Sequence, residues 1–404
     1  MIFKEITIQE FKKISETIDC KNFFQTTMMA NRYEMEGHEY YIVGVEENKK
    51  IVAAALLVEG ERKTFGKKVF TTLKGPLLDY QNKELLSFFL KEMANFIKSK
   101  NCSLLYIDPY IVSQSRDSDG NVVDGINNLH IKKEIEKCGY NYVGEHTQVK
   151  WNYCLDINGM SKEELFKTFK PNTRNNINKT LNKYVLDVKK LTYDELDEFK
   201  KITLDTCERR GFLDRDLAYY QNMYKVFGDD VVFYICELNI PKYIKKLKEE
   251  NEVAEEKIKN LSNSSSNVHK KEAFKHDIDA NLKRIDEAEK LQNEKGDIIP
   301  LSAAMFVLFG DEIIYLFSGS YDEYMSFCGQ YRLQWEIISY AADNNYKRYN
   351  FYGIKDLFNP KGKDYGVYEF KKGFNGYVEE LLGSFVKPIN LIGHILNLYH
   401  KIRK

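Results

Sequence analysis

Cysteine is scarce in this sequence, and its spacing excludes two common kinds of small domain. Seven cysteines stand singly along 404 residues. No Cys-x-x-Cys pair occurs, so the sequence predicts neither a zinc ribbon nor the disulfide framework of a secreted domain. There is also no apolar run of roughly 18 residues and no apolar core near the start. We therefore expect a cytoplasmic protein without a membrane span.

Several catalytic motifs are missing as well. The chain lacks a GxxxxGK[ST] phosphate loop, an HExxH zinc motif and a GxSxG nucleophile elbow. Neither a catalytic metal nor a serine nucleophile is predicted, and no cofactor is expected. The 60 basic and 60 acidic residues balance, which argues against a protein that coats nucleic acid but leaves room for a local basic groove.

Two successions of strand and helix patterns follow each other along the chain. The first contains YYIVGVEE, KIVAAALLVEG, KELLSFFLKEMANFIKSK and SLLYIDPYI; the second contains QVKWNYCLDI, VVFYICELN, LSAAMFVLFGDEIIYLFSGS, YRLQWEIISYAADNN and RYNFYG. The rhythm predicts an α+β protein with two tandem acetyltransferase-like (GNAT-like) domains. The first covers residues 1–150, and the second covers 151–240 and 297–382. A hairpin turn is predicted at Gly310-Asp311, and YGVYEFKKGF is interpreted as a strand that enters a turn at Gly373.

An acetyltransferase that uses coenzyme A needs a glycine-rich loop that offers backbone N–H groups to the pyrophosphate at a helix start. The corresponding stretch here, FCGQYRLQWEII, has one glycine followed by bulky residues. An acyltransferase-like fold without this loop implies a different acyl donor.

Residues 241–296 differ in composition and predict an antiparallel coiled-coil arm. Apolar positions recur every three or four residues on both sides of the turn SNSSSN. In two helices that fold back on each other, paired residue numbers have a constant sum. The predicted pairs are Ile244 with Ala288, Leu247 with Ile285, Asn251 with Asn281, Ala254 with Ile278, and Ile258 with Phe274. A buried asparagine pair would fix the register at some cost in stability. The arm is either a spacer or dimer contact, or a handle for a polymer such as tRNA.

Several long motifs resemble the Fem family of peptidoglycan aminoacyltransferases, and the resemblance covers nearly the whole chain. The motifs are YLFSGSYDEY, QYRLQWEIISYAADNNYKRYNFYGI, YGVYEFKKGFNGYVEELLGSF and LFKTFKPNTRNNINKT, together with the arm. The resemblance implies two GNAT-like domains, with the C-terminal segment 383–404 returning to the first.

The resemblance also implies a reaction. An aminoacyl-tRNA, as co-substrate, would donate Gly, Ser or Ala to the stem peptide of a peptidoglycan precursor, either lipid II or UDP-MurNAc-pentapeptide. The product would be part of an interpeptide bridge. Because the donor ester is already activated, neither ATP nor a nucleophilic side chain is needed, in agreement with the missing motifs.

Two residues match catalytic positions of the family. Lys371, in EFKKGF, would stabilise the anion that forms when an amine attacks an ester; the alternative is a lysine that extends from a strand end. Asp108, at the end of SLLYID, would accept the amine proton; the alternatives are a turn-capping aspartate, or proton transfer through the tRNA ribose.

Other residues match binding positions. Arg215, Tyr219 and Tyr220 would bind the precursor, on the argument that guanidinium and phenol share a helix face. Arg32 is a weaker match, since Met29 stands where the family has tryptophan. Tyr315 would face the stem peptide or lie in the core.

A cationic stretch is a candidate for tRNA binding. Lys170, Arg174 and Lys179 are four or five residues apart on one predicted helix, where they would contact phosphates or simply be solvated. Lys372, which a strand would turn away from Lys371, is a further candidate for a phosphate contact.

The tail INLIGHILNLYHKIRK is an amphipathic helix with a basic end. Its apolar face (Leu391, Ile395, Leu398 and Ile402) is predicted to pack on the first domain; the alternative is peripheral contact with the inner face of the plasma membrane. A homo- or hetero-dimer with a related transferase is a further expectation. Rival functions are a related transferase with a protein or lipid acceptor, and a non-catalytic coiled-coil scaffold.

Overall fold

The computed structural model describes residues 1–60, 66–146, 148–262 and 264–402, with the side chains of 265, 266 and 399–402 outside the description. Within this part, helices pack on sheets whose strands pair mostly antiparallel, as expected of an α+β fold. The strands are β1 (Ile2–Glu5), β2 (Tyr40–Glu47), β3 (Lys50–Glu59), β4 (Lys68–Thr72), β5 (Leu77–Leu78), β6 (Cys102–Ile107), β7 (Val112–Arg116), β8 (Val122–Asn127), β9 (Asn141–Gly144), β10 (Trp151–Asp156), β11 (Asp187–Lys190), β12 (Val231–Asn239), β13 (Ile298–Phe309), β14 (Glu312–Ser320), β15 (Arg348–Gly353), β16 (Tyr377–Leu381) and β17 (Ser384–Pro388).

The helices cover the faces of the sheets and form the inserted arm. They are α1 (Ile8–Thr17), α2 (Thr27–Met35), α3 (Lys83–Lys98), α4 (Leu129–Lys137), α5 (Lys162–Thr168), α6 (Pro171–Asn178), α7 (Leu196–Arg210), α8 (Leu217–Phe227), α9 (Ile240–Asn260), α10 (Ser265–Lys295), α11 (Gly329–Asp343), α12 (Tyr365–Lys372) and α13 (Leu391–Ile402). Within the described residues, no helix combines the length and apolarity that crossing a bilayer requires.

The strands form two sheets that exchange segments. In the first sheet the order is β1-β2-β3-β4-β6-β17-β9, with β5 beside β3. In the second it is β11-β12-β13-β14-β15-β10-β16-β7-β8. The second sheet thus takes β7 and β8 from within residues 1–150, while the C-terminal strand β17 lies between β6 and β9 of the first sheet. The predicted hairpin is confirmed, because Phe309 pairs with Glu312 across Gly310-Asp311.

Successive side chains of β6 point to opposite faces of the first sheet and pack against different helices. Leu105 and Ile107 pack with helix α3 on one face, and Leu104 and Tyr106 pack toward α13 on the other, as the two-residue period of a strand dictates. A third apolar cluster joins the two halves of the molecule, because Phe23 and Met29 of the first pack in one cluster with Phe199, Tyr220 and Phe233 of the second. This shared core fixes how the two sheets face each other.

Helices α9 and α10 form the arm and contact each other in the predicted register. Asn281 Nδ2 donates to Asn251 Oδ1 at 3.0 Å, and both side chains are buried. Nearer the base, Ile244, Leu247, Ile285 and Ala288 are buried in the core of the second sheet. The outer pairs Ala254–Ile278 and Ile258–Phe274 are only half-buried. The limbs are unequal, with 21 residues in α9 and 31 in α10. Supercoiling of this pair stays a prediction.

The strand predicted for YGVYEFKKGF is wrong. Tyr365–Lys372 is the helix α12, which buries Tyr368 and Lys371, three residues apart. Over eight residues, the spacing of apolar side chains fits both the two-residue period of a strand and the 3.6-residue period of a helix. The packing of the folded protein favours the helix. Gly373 ends α12 directly against Thr173 of α6, and a Cβ atom there would collide with the threonine hydroxyl.

The predicted packing of the C-terminal helix is also wrong. Leu391, Ile395 and Leu398 are 76%, 58% and 60% exposed, and the side chain of Ile402 lies outside the described residues. The face that packs on the first sheet instead carries Ile392 and Leu396. Two apolar faces exist on this helix, and the sequence pattern did not show which of them the sheet covers.

The asparagine pair of the arm provides a test of the register. Asn251→Leu should reduce the stability of the arm by about 1–2 kcal/mol, because Asn281 Nδ2 loses its buried acceptor. Replacing both asparagines with leucine should recover that loss or exceed it. Hydrogen exchange of the α9 and α10 amides measures both effects. Asn260→Leu, at an exposed position of α9, is the control. Additive losses in the double variant would contradict the pairing.

Candidate functional site

A cavity of about 350 Å³ lies between the two halves of the molecule. Its wall takes side chains from both, as expected for a site where a ligand contacts two domains. From the first half come Phe24, Arg32, Glu36, His38, Leu73 and His146; from the second come Arg215, Tyr219, Leu316, Phe317, Tyr352 and Lys355. Arg32, Arg215 and Tyr219, predicted as binding residues from separate parts of the sequence, therefore meet at one site.

Two guanidinium groups lie over one phenol ring in this wall. Arg32 Cζ is 4.7 Å from the centroid of the Tyr219 ring, and Arg215 Cζ is 5.2 Å from it. Arg32 is nearly buried and pairs with Glu36 at 3.2 Å, whereas Arg215 is exposed. The cavity wall carries two carboxylates, Glu36 and Glu145, and three cations, Arg32, Arg215 and Lys355, so one formal positive charge is in excess.

The helix start explains why Arg215 and Tyr219 are close. Asp216 caps α8 by accepting from the Tyr219 N–H at 2.8 Å, so Arg215 lies before the helix and not on its face as predicted. Tyr220 does not line the cavity, since it is fully buried and donates to Asp214 Oδ1 at 2.6 Å. Its place among core aromatics gives it a packing role.

Lys371 projects from α12 onto the end of strand β15. Its Nζ donates to the carbonyl oxygens of Phe351 and Gly353, both at 2.6 Å, and of Tyr352 at 3.4 Å. The side chain is buried, and burial lowers the pKa of Lys371 to about 7. Three carbonyl dipoles favour the ammonium form, so they act against desolvation.

Tyr352 connects this lysine with the cavity. Its backbone has φ of +61°, an uncommon conformation for a non-glycine residue, and Asn350 Oδ1 accepts its N–H at 2.8 Å. Its carbonyl faces Lys371, while its ring lines the cavity and its hydroxyl donates to Gln148 Oε1 at 2.6 Å. Burial, with Asp108 nearby, raises the pKa of Tyr352.

Tyr315 is on the hairpin strand β14, close to Lys371. The Lys371 Nζ is 5.9 Å from the Tyr315 ring centroid. The Tyr315 hydroxyl hydrogen-bonds with Ser318 at 2.6 Å and with Gln330 Oε1 at 2.9 Å, and burial raises its pKa to about 12. Tyr315 therefore packs beside the lysine and does not line the cavity.

Asp108 lies behind the cavity wall in a buried ion pair. Lys74 Nζ is 3.2 Å from Asp108 Oδ2, and each side chain is 1% exposed. Ser384, on the C-terminal strand, donates to Asp108 Oδ1 at 3.2 Å, and Lys74 also donates to the carbonyl of Val149 at 2.8 Å. Since Leu73 and Val149 line the cavity, this pair holds part of its wall in place.

The candidate tRNA-binding residues lie around the end of α12. The Lys170 N–H donates to the Gly373 carbonyl at 2.9 Å and precedes α6, which carries Arg174. Lys179 begins a π-helical turn that continues α6 to Lys183. All three predicted cations are half-buried. Lys372 is paired with Asp119 and has Glu369 at 3.7 Å.

The sequence interpretation missed Lys74 and Tyr352. The lysine has no distinctive neighbours in TTLKGPLL, and the tyrosine, in RYNFYG, fits a plain strand. Their roles depend on partners at positions 108 and 371, so no local pattern could have identified them.

Comparisons with known proteins agree with this architecture. A model of the FemAB family matches residues 6–401. The protein named aminoacyltransferase FemA from Staphylococcus aureus (strain bovine RF122 / ET3-1) is 31% identical over 406 residues, which is 96% of each chain, and FemA of strain N315 is equally similar. The crystal structure of FemX aligns over 100% of both chains with a TM-score of 0.77 at 21% identity.

These matches define the fold and the kind of enzyme. The chain has the α+β fold of FemX, and the protein is an acyltransferase of the aminoacyltransferase type. The division into two acetyltransferase-like domains stays a prediction. The chain belongs to the FemAB family.

Because Lys371 is buried, we expect its replacement to change how the stability of the protein depends on pH. The pKa of this lysine falls from 10.5 to about 7 on folding, so the folded protein releases its proton more readily than the unfolded chain. The resulting destabilisation is absent above pH 10.5, grows as pH falls, and is complete below pH 7. Lys371→Met should therefore gain stability relative to the wild type between pH 10 and pH 6.5, by up to ~4 kcal/mol.

Urea denaturation of both proteins across this pH range measures the difference. Lys387→Met is the matched control, since Lys387 also donates to a backbone carbonyl, that of Cys138 at 2.6 Å. A difference between wild type and Lys371→Met that does not change with pH would contradict the lowered pKa.

The pair Lys74–Asp108 should behave as one unit. Lys74→Met leaves a buried carboxylate with only Ser384 as a polar side-chain partner, so we expect a loss of about 3–5 kcal/mol. The double variant Lys74→Met/Asp108→Asn should recover most of this loss, because no uncompensated charge remains. Urea unfolding of the four proteins measures the coupling.

In the exposed pair Lys347–Asp311, Lys347→Met should cost less than about 1 kcal/mol. Additive losses at 74 and 108 would show that the two side chains are not coupled.

Proposed function

We propose that this enzyme transfers one amino acid from an aminoacyl-tRNA to the stem peptide of a peptidoglycan precursor, and so builds part of an interpeptide bridge. The observation that carries the proposal is Lys371, whose buried Nζ lies at the end of β15, beside a cavity with two arginines. Membership of the FemAB family supports the same reaction type.

In this reaction the acceptor amine is itself the nucleophile, so the enzyme needs a group that stabilises the oxyanion and no nucleophilic side chain. The acceptor amine forms a C–N bond with the aminoacyl carbonyl carbon, and the ester C–O bond to the ribose breaks. The negative charge that develops on the carbonyl oxygen is stabilised by a fixed cation in a dry site. Of the three bonds that Lys371 makes, the 3.4 Å bond to the Tyr352 carbonyl is the longest, so this N–H is the one that can turn to the oxyanion.

The proton of the amine passes to the ribose oxygen that leaves, which balances the reaction without a protein base. Asp108 is 1% exposed and already bonded to Lys74 and Ser384. In this proposal Asp108 is a positioning residue that holds the Leu73–Lys74 segment.

The cavity suits the acceptor. A diphosphate carries charges that two guanidinium groups can bind at once. The Cζ atoms of Arg32 and Arg215 are 4.7 Å and 5.2 Å from the centroid of the same Tyr219 ring. A peptide stem that extends from the diphosphate along the wall would pass Tyr352 on its way to Lys371.

The donor would approach from the side of α6. Lys170 directly precedes this helix, and its N–H donates to the carbonyl of Gly373, the residue that follows the lysine-bearing helix α12. Together with Arg174 and Lys179, it offers charge to RNA phosphates near the reacting end.

A transfer assay tests the proposal. The purified enzyme is given total charged tRNA with one amino acid radiolabelled at a time, and lipid II or UDP-MurNAc-pentapeptide as acceptor. We expect transfer of one label, abolished by ribonuclease. Lys371→Met should lower the rate ~100-fold or more, the effect of removing an oxyanion donor, whereas Lys387→Met should leave it unchanged.

Two results would overturn the proposal. One is no transfer to either acceptor from any charged tRNA. The other is an unchanged rate in Lys371→Met, which would place the chemistry elsewhere.

A further inference from the structure

The C-terminal helix α13 leaves an apolar stripe uncovered. Leu391, Ile395 and Leu398 follow at spacings of four and three residues, so they lie on one face of the helix, and all three are more than half exposed. A single exposed leucine is ordinary, but three along one face of a helix form a contiguous patch of the kind that marks an interaction site.

The same helix is firmly seated by its opposite side. Leu396 is buried and Ile392 packs with it against Leu104, Tyr106 and Val386. The Gly393 N–H donates to Asn390 Oδ1 at 2.9 Å, and Gly393 lies so close to the Ser103 carbonyl that a Cβ atom would collide with it. The exposed stripe is therefore held outward by a seated helix.

The charge of this segment points to an anionic partner. From residue 389 to the end at residue 404 there is no Asp or Glu, whereas Lys401, Arg403 and Lys404 are basic. An apolar helix face followed along the sequence by basic residues is the composition of helices that lie in the interface of an anionic bilayer. The helix has 12 residues, too few to span a bilayer.

The helix also lies next to the cavity. It packs on Tyr106 of β6, and the Tyr106 ring stacks on His146 at 4.2 Å between centroids. His146 lines the cavity. Tyr106 and His146 thus connect the seated face of α13 with the site that would hold the acceptor.

We propose that the exposed face of α13 docks this enzyme on an anionic lipid bilayer and presents the cavity to an acceptor at the membrane surface. The docking itself needs no substrate. Its consequence, a preference for the lipid-linked precursor over the soluble one, rests on the proposed function.

Vesicle flotation without substrate tests the docking. Vesicles of phosphatidylglycerol and phosphatidylethanolamine should carry the full-length protein, and vesicles of phosphatidylcholine should carry much less. Binding should weaken as salt rises from about 0.1 to 0.5 M, because salt screens the charge attraction. The variant Leu391→Ser/Ile395→Ser/Leu398→Ser should bind at least ~10-fold more weakly.

A matched variant removes three exposed apolar side chains elsewhere. Val253, Val268 and Leu282 lie on the arm and are 50%, 48% and 54% exposed. The variant with serine at these three positions should float like the wild type. Both triple variants should retain transfer to UDP-MurNAc-pentapeptide, and only the α13 variant should lose transfer to lipid II in vesicles.

The outcomes separate cleanly. Failure of the wild type to float, or equal flotation of the α13 variant, overturns the docking whatever the enzyme transfers. A concentration-dependent dimer that the α13 variant loses, without vesicle binding, would assign the face to a second copy instead. Vesicle binding without any transfer would leave docking supported and overturn the proposed function alone.

Discussion

The ammonium group of Lys371 on three consecutive carbonyl groups is the contact on which the site depends. A strand offers such carbonyls where its pairing is irregular, and Tyr352, with its positive φ and its N–H held by Asn350, lies where the register between β15 and β10 shifts. The contact of Gly373 with Thr173 fixes the end of helix α12 against α6. A lysine in water would never form this arrangement, because solvent competes for every bond that it makes.

The two sheets hold this contact because neither can move alone. Strands β7 and β8 leave the first half to extend the second sheet, and β17 returns to complete the first. Arg348 adds a buried link, donating to Glu379 at 2.7 Å and to the Tyr110 hydroxyl at 2.8 Å. Tyr110 belongs to the first half and Arg348 to the second, so this bond joins the halves whose arginines, Arg32 and Arg215, lie over the same tyrosine ring.

Features that depend on residues close together in the sequence could be predicted, and features that depend on distant residues could not. The arm register was correct because two helices in one short segment obey a simple sum, and Asn251 meets Asn281 as expected. The hairpin at Gly310 was correct because its turn is local. The resemblance to a family motif singled out Lys371, whose Nζ bonds to the carbonyl of the cavity-lining Tyr352, but the apolar pattern placed this lysine on a strand. Lys74 and Tyr352 could not be found, since their partners are distant in sequence. Helix α13 has two apolar faces. The sequence pattern predicted that the face with Leu391 would be buried, but in the fold the face with Leu396 packs on the first sheet.

The position of β17 has a consequence for how the protein is made. This strand lies between β6 and β9, and Ser384 on it completes the hydrogen bonding of Asp108. During synthesis on the ribosome, the first sheet therefore keeps an open gap until β17 has emerged. Until then β6 and β9 present unpaired edges that another nascent chain could join. The first sheet is thus completed only after every strand of the second sheet has been translated.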